Sequence, residues 1–122
     1  MPTIENIELH APPGEDCAFG PETTWLVGSG YLFEFTPDGN LQILNPTGEK
    51  VWESGTAGTG AQKFSVRSDG VLSLSSGNGA EPFWQTASAG SSGAFLAFQN
   101  DGNLVLYSAE RKPLWATDTN GK

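Results

Sequence analysis

Apolar and polar residues alternate along most of the chain in short runs, each closed by Gly, Asn, Asp, Ser or Thr. A period of two between turn residues predicts short β-strands, and no helical period is sustained for two turns. The clearest unit is Phe95-Leu96-Ala97-Phe98 and Leu104-Val105-Leu106-Tyr107 flanking Gln99-Asn100-Asp101-Gly102-Asn103, which reads as a β-hairpin. A two-residue Asp-Gly loop would set Gln99 against Leu104 and mix polar with apolar. A three-residue loop, Asn100-Asp101-Gly102 with Gly102 left-handed, sets Gln99 against Asn103. The second register sorts both faces and is the one expected. Leu96, Phe98, Leu104 and Leu106 then form an apolar face. Gln99, Asn103, Val105 and Tyr107 form the other, with Asp101 at its tip.

The unit recurs. Asp38-Gly39, Asp69-Gly70 and Asp101-Gly102 lie 31 and 32 residues apart, and Trp52, Trp84 and Trp115 follow them by 14 or 15 residues. Matched intervals of this length mark an internal repeat, with units at about 30–55, 61–88 and 93–119. The same register places Phe33, Phe35, Leu41 and Ile43 on one face of the first unit. It places Phe64, Val66, Leu72 and Leu74 on one face of the second. A lone hairpin is not stable in water. Three of them, each extended by a Trp strand, are expected to enclose a shared core with Trp52, Trp84 and Trp115 near its axis. Trp25 is out of phase and is not assigned to the axis.

The outer faces diverge. Gln99, Val105 and Tyr107 are matched in the first unit by Thr36, Gln42 and Leu44, so only Asp38 and Asn40 persist there as a degenerate set. The second unit keeps only Asp69 and adds Arg67. A full set found once is not required by the fold. Gln99 and Asn103 both donate and accept, Asp101 accepts, and Tyr107 adds a hydroxyl and a flat ring, with Val105 a small apolar patch among them. That mixture suits a polyol such as a pyranose. It equally fits the ordinary polar exterior of a sheet.

Composition narrows the classes. One domain is expected for 122 residues. The net charge of −8 disfavours nucleic acid and anionic membrane, and its simplest effect is solubility. No apolar run reaches membrane-spanning length, so no membrane insertion is expected. Met1-Pro2-Thr3-Ile4-Glu5 lacks the basic start and apolar stretch of a signal peptide, although extracellular or cell-surface action stays open. Cys17 is the single cysteine and reads as a free thiol. His10 is the single histidine and makes no metal site. Residues 1–21 differ from the repeats: Ile4, Ile7 and Leu9 suggest one strand before the Pro12-Pro13-Gly14 break. They are read as an N-terminal arm, with a domain over 22–122.

Gln99-x-Asp101-x-Asn103-x-Val105-x-Tyr107 resembles the signature of the bulb-type, monocot mannose-binding lectins. The resemblance covers about residues 22–122, including the three-fold period, the Asp-Gly turns and the Pro113-Leu114-Trp115 ending. It implies an all-β fold: a β-prism of three four-stranded sheets with pseudo-three-fold symmetry. It also implies metal-independent binding of mannose or mannosylated glycans on the outer face of each intact repeat, with no cofactor. Asp101 and Asn103 would hold the axial 2-hydroxyl, Gln99 the 3-hydroxyl and Tyr107 the 4-hydroxyl, while Val105 packs on ring carbons. Family members often form homodimers by exchanging their C-terminal strand, here about Leu114–Thr119.

The chain departs from plant members in lacking a second Cys, in two degraded signatures and in the arm. These departures look more like a bacterial or fungal relative. Decay of two sites also fits a protein-interaction or structural module on a lectin-like scaffold. An enzyme is not expected: glycosidases need two carboxylates across the sugar. Glu110 lies beyond the strand end, and Glu34 sits on the first repeat's outer face beside Gln42.

Overall fold

The computed structural model describes residues 6–11, 15–76, 82–86 and 93–122. Ile4 and the Met1 start, the Pro12–Gly14 break, and the stretches 77–81 and 87–92 around the second Trp strand lie outside them. The described chain is all β, in three four-stranded antiparallel sheets.

Each repeat builds the inner hairpin and last strand of one sheet. Sheet one contains β3 (Thr23–Leu26), β4 (Leu32–Phe35), β5 (Leu41–Leu44) and β6 (Lys50–Glu53), in that order. Sheet two runs β2 (Cys17–Phe19), β7 (Lys63–Val66), β8 (Leu72–Ser75) and β9 (Trp84–Gln85). Sheet three runs β1 (Asn6–His10), β10 (Phe95–Gln99), β11 (Leu104–Tyr107) and β12 (Pro113–Ala116). Residues 6–10 and 17–19, read from the sequence as part of an N-terminal arm, are hydrogen-bonded into two of the sheets. They supply the outer strand of sheet three and the outer strand of sheet two. The alternation Ile7-Glu8-Leu9-His10 marked a strand, but its partner lies in the last repeat, with Ile7 opposite Phe98 and Leu9 opposite Leu96. β12 pairs with β11 in sheet three, with Leu106 opposite Trp115.

The three-residue loop forms as the face-sorting argument required. Gln99 N donates to Asn103 O at 2.8 Å and Gly102 N donates to Gln99 O at 2.9 Å. Thr36–Asn40 and Arg67–Val71 repeat the pattern. Gly102 has φ +92°, a conformation in which a side chain would strain the backbone. The turn is also tightly covered: a Cβ on Gly102 would lie 2.6 Å from Tyr31 Cζ.

The twelve residues assigned to the inner faces are all fully or almost fully buried. They stabilise the three sheets together, at roughly 1.5–3 kcal/mol for each large side chain removed from water. Trp52, Trp84 and Trp115 meet edge to face, with ring centroids 5.7–6.0 Å apart. Trp25 packs away from them, stacked on Phe33 at 4.9 Å. Cys17 is a free thiol against this core, and burial pushes its pKa up, which makes it a poor nucleophile.

Candidate functional site

Alternation turns Gln99, Asn103, Val105 and Tyr107 to the outer face of sheet three, as the inner-face residues between them point to the core. Asp101 stands exposed at the turn. Its Oδ1 accepts from Asn103 N at 2.9 Å, an Asx-type contact that fixes the carboxylate over the turn. The turn is clamped from outside sheet three. Ser29 N donates to Asn100 Oδ1 at 2.8 Å, and Gly121 N donates to Asp101 O at 2.9 Å. None of these clamps belongs to the five-residue pattern, and nothing in the hairpin's own sequence signals them.

The Asn103 side chain is held through its carbonyl. Thr117 Oγ1 donates to Asn103 Oδ1 at 3.2 Å, as does Thr119 N at 3.3 Å. This fixes the amide through its oxygen, and its NH2 group has no partner among the described residues. Gln99 Nε2 donates to Tyr107 Oη at 2.6 Å. The bond leaves the phenolic proton and Gln99 Oε1 for other partners. It also runs diagonally across the Ala97–Val105 pair, which is 2% and 4% exposed. A ring lying on this face meets the amide and the phenol before it meets Val105.

Tyr107 is held from the side. Its ring stacks on Phe95 at 5.6 Å, Phe95 stacks on His10 at 4.5 Å, and Arg111 lies 4.9 Å over the Phe95 ring. Neither Phe95 nor His10 belongs to the five-residue pattern. Their signal is the strict alternation Phe95-x-Ala97-x-Gln99, which puts Phe95 on the polar side of the hairpin.

The corresponding row of sheet one is occupied differently. Across its four strands, Thr24, Glu34, Gln42 and Glu53 face outward side by side. Sheet three has Glu8, Ala97, Val105 and Ala116 there. Glu34 accepts from Gln42 Nε2, as their shared face implied. Asp38 accepts from the Thr36 hydroxyl. Asn40 Oδ1 accepts from Ser54 Oγ at 3.2 Å and Thr56 N at 3.1 Å, while Asn40 Nδ2 donates to Glu53 Oε1 at 2.9 Å. The Asn40 amide is thus engaged at both ends and 3% exposed. The same bond, aided by Lys50, holds the Glu53 carboxyl below the usual carboxylate range. In sheet two Arg67 Nη2 pairs with Asp69 Oδ2 at 2.5 Å.

No family profile and no curated protein sequence matches the chain; its likeness to known proteins is in three-dimensional structure. It superposes on the monomeric monocot mannose-binding lectins of Gastrodia elata with a TM-score of 0.77 and 27% identity, covering 95% of this chain and 98% of that one. It superposes on the Marasmius oreades lectin with a TM-score of 0.76 and 31% identity, over 92% and 90% of the two chains. The mannose-specific bulb lectin of bluebell, Scilla campanulata, gives 0.66 and 25% over 94% and 98%. The chain belongs to the bulb-type, monocot mannose-binding lectin family, and its three sheets form the family's β-prism. The structural neighbours are lectins rather than enzymes, which supports a lectin-like carbohydrate-binding role.

Proposed function

We propose that the chain is a non-catalytic lectin that binds mannose or mannose-containing glycans at one site, the outer face of sheet three. The observation that carries this reading is the state of two equivalent asparagines. Asn40 is capped by Glu53, whereas Ala116 stands at that place beside Asn103 and leaves its amide uncommitted. Asp101 Oδ2, the Asn103 amide, Gln99 Oε1 and the Tyr107 hydroxyl then give acceptors and donors for neighbouring hydroxyls. In this reading Asp101 and Asn103 take the axial 2-hydroxyl, Gln99 the 3-hydroxyl and Tyr107 the 4-hydroxyl. Val105 meets ring carbons once the Gln99–Tyr107 bridge shifts. An equatorial 2-hydroxyl would leave an amide and a carboxylate without a partner, the source of discrimination against glucose.

The test is an NMR titration with methyl α-mannoside. Asn103 and Tyr107 resonances move with a dissociation constant of about 1 mM, equivalent to about −4 kcal/mol. EDTA leaves the response unchanged, since none of the proposed contacts needs a metal. Asp101→Ala removes it. Absence of any shift in the parent protein at saturating sugar would refute the site. A sugar-hydrolysis assay is expected to show no turnover. One chain carries one site, and a dimer exchanging residues 114–119 would carry two; sedimentation equilibrium separates these cases.

A different reading, an interaction module, draws on sheet one. Leu26, Leu32 and Leu44 lie side by side where sheet three has His10, Phe95 and Tyr107, and Leu26 is 62% exposed. A glycan array without hits, together with a protein partner lost on Leu26→Ser, would favour it.

A further inference from the structure

β1 carries Asn6, Glu8 and His10 outward, opposite Gln99, Ala97 and Phe95, and all three are exposed. The outer strands of the other sheets offer less. β2 sets Ala18 opposite Ser65, and β3 sets Thr24 opposite Glu34 and Leu26 opposite Leu32. Two segments from opposite ends of the sequence therefore concentrate amides, carboxylate and rings on one sheet.

Glu8 is held from two sides. Its Oε1 is bonded to His10 Nε2 at 2.9 Å, and its Oε2 accepts from Arg111 Nη1 at 3.4 Å. A carboxylate has lone pairs left after two such bonds, and the side chain is 33% exposed. Asn6 Oδ1 accepts from Asn100 N at 3.0 Å, which ties this strand to the Asp101 turn. The Asn6 amide NH2 and the second ring nitrogen of His10 have no partner among the described residues. His10 presents its ring parallel to Phe95, within 15°. Along the row only Ala97 stands between Glu8 and Val105, and the side chains over that gap are the Gln99–Tyr107 pair and the Arg111 guanidinium that reaches Glu8. β1 and β11 are two strand spacings apart, about 10 Å. One pyranose cannot cover both strands, whereas two linked rings can.

Resting on the reading of Gln99–Tyr107 as a sugar site, we propose that Asn6, Glu8 and His10 form a second sugar subsite on β1. The ligand class is then an oligosaccharide whose second ring presents hydroxyls to the Glu8 carboxylate and the Asn6 amide and an apolar face to His10. Arg111, lying over Phe95, fixes the carboxylate through its Oε2.

Calorimetric titration of the intact chain with methyl α-mannoside and with each α-linked mannose disaccharide tests this. At least one disaccharide binds about fivefold to tenfold more tightly than the monosaccharide, the effect of one or two added hydrogen bonds. Glu8→Ala and Asn6→Ala bring the ratio of the two affinities to about one. In the parent protein, NMR shows Asn6, Glu8 and His10 amides moving with the disaccharide and staying still at monosaccharide saturation, a readout that needs no variant. A ratio near one in the parent protein overturns the subsite. So does a ratio that survives both variants, which is the outcome if β1 only positions Tyr107 through Phe95. Failure of the parent protein to bind methyl α-mannoside overturns the sugar site itself, and the subsite with it.

Discussion

Sheets one and three share a turn, a register and an inner face, yet they treat the same polar positions in opposite ways. In sheet one Glu34, Gln42 and Glu53 fill the outer row and bond to one another or to Asn40. In sheet three the row is Ala97, Val105 and Ala116, and the polar groups stand around it. The difference teaches that a retained Asp-x-Asn pair can sit in two different hydrogen-bonding states, with the amide engaged at Asn40 and uncommitted at Asn103. Asn40 and Asn103 both anchor a turn through the carbonyl, as Thr56 N and Thr119 N show. What separates them is the residue after the tryptophan, which either caps the amide NH2 group or leaves it without a partner among the described residues.

The comparison breaks most severely at the turn glycine. Gly102→Ala combines a left-handed φ with overlap against Tyr31, and should cost more than about 2 kcal/mol in urea unfolding and abolish sugar binding. Gly48 has a similar φ but open space, and its Ala variant should cost only about 1 kcal/mol. A smaller loss separates the two asparagines. Asn40→Ala strands buried donors and should cost about 2 kcal/mol without touching sugar affinity. Asn103→Ala, at a half-buried position, costs less stability and removes the NMR response. The sharpest test moves the cap: Ala116→Glu places a carboxylate beside Asn103. Mannose affinity should fall about tenfold while stability changes by less than about 0.5 kcal/mol. Unchanged affinity would show that the uncommitted amide does not distinguish the sheets.

The smallest effect is expected from acid. The Glu8 carboxyl is held low by its bond to His10 and by Arg111, and that of Glu53 by Asn40 and Lys50. Both shifts are downward. Their stabilisation is complete above the ordinary carboxylate range and is lost as pH falls through the depressed values. Thermal melts should show a shallow decline there, reduced in Glu53→Gln and Glu8→Gln. The two tests separate loosening of sheet one from loosening of β1.

Much of this was readable beforehand. Alternation with a turn glycine determines which face each hairpin residue occupies, so the inner residues and the outward Gln99, Asn103 and Tyr107 follow from spacing alone. The destination of β1 does not. Alternation in Ile7-Glu8-Leu9-His10 reports a half-buried strand, but a strand's hydrogen bonds are not specific to sequence, and any open sheet edge would satisfy them. The cap on Asn40 was legible in principle, since Glu53, Gln85 and Ala116 occupy one repeat position. Its meaning needed the register of the last strand. The cover over Val105 was not legible, because it depends on two long side chains meeting diagonally.

The union of β1 with β10 has a consequence for how the molecule comes into being. Sheet one draws only on residues 23–53 and can close from one contiguous stretch, whereas sheet three waits for residues 95–99 to reach a strand emitted long before them, at residues 6–10. Its face is a seam, sewn when the late part of the polypeptide returns to the early part. Non-local closure of this kind is slow. A ribosome-bound fragment ending before that return would hold two finished or nearly finished blades and lack the third.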